Sequence, residues 1–121
     1  MEEIKVRDYV RTKDGYIGKY IKDGLVYKTI ELEDNEMSWI TGESNILKHS
    51  KYIIDLIEVG DYVNGHRILE KTKIKNNEMQ VCILKDNNSS NWMTINNYTL
   101  KSIVTKETFA NIEYRIGENN E

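Results

Sequence analysis

The chain has 121 residues, of which 39 % are hydrophobic and 31 % charged, with a formal net charge of −3 and a pI near 5.5. That balance argues against neutralising duplex phosphates as its main task, which needs clustered Lys and Arg in excess. One cysteine leaves no internal disulfide, two histidines give no zinc-ligand spacing, and no apolar run is long enough to span a bilayer.

The opening MEEIKVRDYV has no basic region followed by an apolar one, so no secretory signal is expected, and the cytoplasm is the expected compartment. In KVRDYVRT, Val6, Asp8 and Val10 alternate with Lys5, Arg7 and Tyr9, a period of two that predicts a strand. Asp14-Gly15 then predicts a turn, and GLVYKTIEL a β-rich run. From residue 31 to 44 there is no basic residue, and Glu31, Glu33, Asp34, Glu36 and Glu43 gather there around Trp39.

At an offset of 53 the chain matches itself, which signals an internal repeat. Ile4, Val6, Asp8, Tyr9 and Val10 fall on Ile57, Val59, Asp61, Tyr62 and Val63; Trp39 and Thr41 fall on Trp92 and Thr94; Leu47 and Lys48 fall on Leu100 and Lys101. The second copy carries its own turn, Asn64-Gly65, and a second short apolar run, EMQVCILK. In each copy the Asp of V-x-D-Y-V is expected to turn the chain and accept hydrogen bonds from nearby backbone N–H groups. Thr105, followed by Glu107, Phe109 and Ile112, predicts one short helix over 105–112. A closing strand around Tyr114–Ile116 and a frayed tail Gly117–Glu121 are expected after it. The predicted fold is mainly β: two tandem SH3-like small β-barrel units, residues 1–53 and 54–121, with one short C-terminal helix.

The segments IKVRDYVRTKDGYIGK, NILKHSKYIIDLIEVGDYVNG and LKSIVTKETFANIEYRI resemble small uncharacterised proteins of Firmicute phages and prophages. The likeness covers nearly the whole chain, although Arg7 stands where V-G-D-Y-[VI] would place the glycine that Gly60 keeps. The resemblance implies a protein that binds and blocks a host bacterial factor, such as a CRISPR effector or another defence component.

The candidate chemistry divides between surfaces. Tyr16, Tyr20 and Tyr27 lack counterparts in the second copy, where Leu69, Lys73 and Gln80 stand. With Glu31, Glu33 and Asp34 they form the candidate partner-binding set, against the alternatives of a thin core covered by tyrosines and a solvated hairpin tip. Lys71, Lys73 and Lys75, with Arg67, form an alternative row for the phosphates of a nucleic acid or nucleotide signal, or else a charged guard on an edge strand. Trp39 and Trp92, shared by both copies, are expected in core or inter-unit packing. Cys82 sits in an apolar run, where cysteine is usually a buried hydrophobe, so its pairing with His66 as nucleophile and base is not expected. No motif calls for a cofactor, and the chain is read as a non-enzymatic binder.

Overall fold

A computed structural model describes residues 3–112; the strand expected at Tyr114–Ile116 and the tail Gly117–Glu121 lie outside them. In chain order the elements are β1 (Tyr9–Thr12), β2 (Ile17–Asp23), β3 (Thr29–Glu33), β4 (Ser38–Gly42), β5 (Ile46–Ser50), β6 (Tyr62–Val63), β7 (His66–Lys75), β8 (Glu78–Leu84), β9 (Ser90–Asn96), β10 (Ile103–Val104) and α1 (Lys106–Ile112), with 3₁₀ turns at Glu43–Asn45 and Ile53–Leu56. The fold is mainly β, with two five-stranded antiparallel sheets and one short helix.

The strand order is β4-β3-β2-β1-β5 in the first sheet and β10-β6-β7-β8-β9 in the second, the same order read from opposite edges. Each is a four-strand meander whose fifth strand returns to pair with its first. The repeat in sequence is therefore also a repeat in topology.

Alternation of buried and exposed residues in β2 and β3 follows the period of two and places one face of each strand inward. The first core gathers Val10, Tyr20, Ile30, Leu32 and Ile46, with Ile4 and Trp39 packed against it. The second is larger, with Ile54, Ile57, Val63, Ile68, Met79, Val81, Ile83 and Ile95. Each fully buried aliphatic side chain contributes about 1.5–3 kcal/mol relative to exposure, before the cost of chain ordering.

Both copies open on the same turn. The Asp8 carboxylate accepts the Lys5 N–H at 3.0 Å, and the Asp61 carboxylate accepts the Glu58 N–H at 2.8 Å. The turn needs a positive φ at its third residue, supplied by Gly60 (98°) in the second copy and adopted by Arg7 (81°) in the first. Asn64 and Gly65, both at positive φ, close the β6–β7 hairpin as a type I′ pair does.

A buried ionic node joins the sheets. Arg11 of β1 and Asp61, just before β6, are both fully buried. The Arg11 guanidinium donates to both Asp61 oxygens (2.5 and 2.9 Å), to the Leu56 carbonyl (2.8 Å) and to Glu107 of α1 (2.7 Å). Burial alone would lower its pKa, but the hydrogen bonds to Asp61 and Glu107 outweigh that and hold it above the ordinary arginine value. The N-terminus of α1 docks on the same place. The Thr105 hydroxyl donates to the Gly15 carbonyl (2.6 Å) and receives the Thr108 N–H, the N-cap the sequence predicts. Phe109 stacks on Tyr62, with ring centroids 4.6 Å apart.

The tryptophans do not share an environment. Trp39 faces Leu32 across the ladder and packs on the first core, where Gly18 makes room: a Cβ there would lie 2.6 Å from the indole Cη2. Trp92 faces Cys82, whereas the inward positions of β8 are Val81 and Ile83, and its side chain is 48 % exposed. The expectation of core packing for Trp92 is thus corrected. The one-residue offset between the copies moves the second indole to the outer face.

Candidate partner-binding groove

The β1–β2 turn, the β3–β4 turn and the 3₁₀ turn after β4 meet along one side of the first sheet. Asp34 builds the β3–β4 turn: its carboxylate accepts the N–H groups of Glu36 (2.7 Å) and Met37 (3.0 Å), and these hold it below the usual carboxylate range. At the other end, the Asn45 amide donates to Asp14 (3.2 Å) and to the Thr41 hydroxyl (3.1 Å), tying the β1–β2 turn to the end of β4. Asp14 is likewise held below the carboxylate range, by the Thr12 hydroxyl and then by Asn45.

Between these ends runs a groove of about 450 Å³. Its apolar lining is Tyr16, Met37, Trp39 and Ile40, its carboxylates are Asp14, Asp34 and Glu36, and no cationic side chain lines it. Met37 and Ile40 are mostly or half exposed, more apolar surface than a solvated strand edge requires. Among the described residues no group of three or more His, Cys, Asp or Glu side chains converges as a metal site does. The groove is thus apolar in the middle and anionic at both ends.

The residues singled out from sequence divide accordingly. Tyr16 and Asp34 line the groove. Tyr20 does not: it is 7 % exposed in the first core, and its hydroxyl bonds the Asp23 carboxylate, which with burial pushes its pKa up to about 12. Tyr27 stands 85 % exposed beside Leu25 and Val26 in the β2–β3 loop, at the opposite end of β2 from Tyr16. The three tyrosines therefore share no face. Glu31 lies 3.9 Å from Lys22 across the β2–β3 ladder, and Glu33 is exposed at the end of β3. Met37, Ile40 and Asp14 were missed, although apolar residues beside the acidic stretch were the available signal.

In the alternative cationic row, two members are engaged internally. Lys71 donates to the Ile57 carbonyl (2.6 Å), its pKa lowered chiefly by burial, and Lys73 pairs with Asp55 (2.7 Å). Arg67 and Lys75 are exposed. Cys82 is buried opposite Glu70 while His66 faces Val63, so roughly 13 Å of β7 separates the two levels.

Two adjoining hollows of about 370 and 550 Å³ share Tyr9, Ile17, Asn35 and Ile53, and the second extends to Ile103 of β10 in the other sheet. Among the described residues, the first has Lys19 beside Glu33 and Asp34 and the second has Lys101 as its one charged lining residue, so neither presents a set of like charges as the groove does. No protein-family model, curated protein or solved structure matches the chain, and its function is read from the groove itself.

Proposed function

We propose that the chain is a non-enzymatic protein-binding module of two tandem SH3-like units, residues 1–53 and 54–121, that holds a basic, apolar segment of a partner protein in the groove of the first unit. The observation that carries this reading is the lining itself: four apolar side chains between three carboxylates, with no cation to neutralise them. Apolar burial supplies the affinity, and the carboxylates select partners of opposite charge and steer their approach. With the resemblance to Firmicute phage proteins, the partner is a host bacterial protein met in the cytoplasm, a defence component such as a CRISPR effector being the leading class, and the chain acts as its inhibitor or adaptor.

The test is capture from a Firmicute lysate by the tagged chain and by a Glu36→Lys, Ile40→Ser double variant, with thermal unfolding of both. A host protein enriched by the parent and lost by a variant of unchanged Tm supports the proposal. Equal capture by the variant, or nuclease-sensitive material absorbing at 260 nm in place of protein, overturns it.

A further inference from the structure

β4 is the outer strand of the first sheet, paired on one side with β3 and with no other described strand. Antiparallel ladders alternate between hydrogen-bonded and non-hydrogen-bonded pairs, so one ladder bond fixes the phase of all the others. Two bonds fix it here: the Asp34 N–H donates to the Met37 carbonyl at 3.0 Å, and the Glu43 N–H to the Lys28 carbonyl at 2.9 Å. In the register Leu32↔Trp39 and Ile30↔Thr41, both bonds assign Trp39 and Thr41 to the pairs facing β3. Ser38, Ile40 and Gly42 therefore turn their N–H and C=O groups outward. Three consecutive residues of this strand, Trp39, Ile40 and Thr41, line the groove, so the groove follows the strand's free edge.

From this placement we infer that the partner segment binds by β-strand addition to β4, an inference that rests on the proposed groove and specifies how it is filled. The occupant is an extended peptide. Its backbone pairs with Ser38, Ile40 and Gly42, and an apolar side chain enters between Tyr16, Met37 and Trp39. Asp34 and Glu36 lie in the turn that leads into β4, and Asp14 is tied through Asn45 to Thr41. The distance from Met37 to Thr41 is about 14 Å of strand, so the peptide carries two basic residues about four positions apart flanking the apolar one. A second copy of this chain is the wrong occupant. Its own β4, SWITG, has no basic residue and would bring its carboxylates against the same carboxylates.

The probe is the tightest peptide selected from a random linear dodecamer library on the immobilised full chain, its affinity then measured by fluorescence anisotropy. Its backbone amides are N-methylated one at a time. Strand addition predicts a period of two, with affinity falling about tenfold at alternate positions and little in between. On the protein side, Ile40→Pro removes an outward N–H and no ladder bond, so the fold is kept while binding falls by a similar factor. Circular dichroism checks that fold, and the N-methyl scan on the parent chain decides if the proline variant unfolds. A basic peptide released by Glu36→Lys but showing no period of two overturns strand addition and leaves the groove standing. Selected peptides that lack basic residues, peptides indifferent to Glu36→Lys, failure to select any linear peptide, or concentration-dependent dimerisation that Ile40→Pro abolishes overturn both.

Discussion

Replacing Arg11 by methionine removes the charge at the centre of the junction and keeps a flexible apolar stem of similar reach. Four hydrogen bonds disappear, and among the described residues Asp61, fully buried, keeps the N–H groups of Glu58 and Lys106 alone. Breaking a buried ion pair from one side costs about 3–5 kcal/mol, because the remaining charge stays desolvated. Among the described residues the buried Arg11 Nε has no acceptor, so the node is incompletely satisfied and the lower part of that range is expected. Against a typical domain stability of about 5–15 kcal/mol, a loss of about 3 kcal/mol is large. In urea, with a slope of about 2 kcal/mol/M, the midpoint should fall by about 1.5 M. Adding Asp61→Asn, which keeps an acceptor for a backbone N–H but removes the stranded charge, should restore part of the loss. A cost below about 1 kcal/mol for Arg11→Met, or no relief from the second substitution, would refute the claim that this pair ties the sheets together.

Arg7→Gly should stabilise the chain by about 1 kcal/mol in the same urea experiment, because Arg7 holds φ at 81° where the second copy has glycine; unchanged or lower stability would count against a strained turn. Gly18→Val should lower Tm by several degrees and red-shift tryptophan fluorescence, since its Cβ would lie 2.6 Å from the Trp39 ring and push the indole off the core. The depressed carboxylates set a pH dependence. The Asp14 and Asp34 charges persist above the ordinary carboxylate pKa and are lost only as pH falls through their lowered values, so peptide affinity should hold from pH 7 to about pH 5. A midpoint near pH 6 in an anisotropy titration would contradict this.

Much of the scaffold was legible in the residues, for local physical reasons. Asn64-Gly65 encodes its hairpin, Thr105 its N-cap, and Asp8 and Asp61 their turns, each through hydrogen bonds within a few residues. Register was not legible, because the spacing between paired residues differs between the copies: the core residue Leu32 and its partner Trp39 are seven positions apart, whereas the core residue Ile83 and its partner Asn91 are eight. That difference breaks the constant offset, and Trp92 consequently lies on the other face from Trp39. Arg11 went unnoticed because its partners, Asp61 and Glu107, are 50 and 96 residues away, beyond any periodicity. The groove was half legible. The acidic stretch announced Asp34 and Glu36, while Asp14 joins them only through the fold.

The bond from Thr105 to Gly15 spans 90 residues and ties the start of α1 to the β1–β2 turn. On the ribosome this imposes an order of events, since chains fold as they emerge from the N-terminal end. All five strands of the first sheet are synthesised before Asp61, and well before Glu107. Until then Arg11 has no carboxylate from either, and its cheapest course is to stay hydrated. The first sheet is therefore expected to be provisional during translation, and chains stalled after residue 104 should be cut by protease within β1 and β2 faster than released full-length chains. The first sheet of this protein acquires its final stability from residues made some 90 positions after its opening turn.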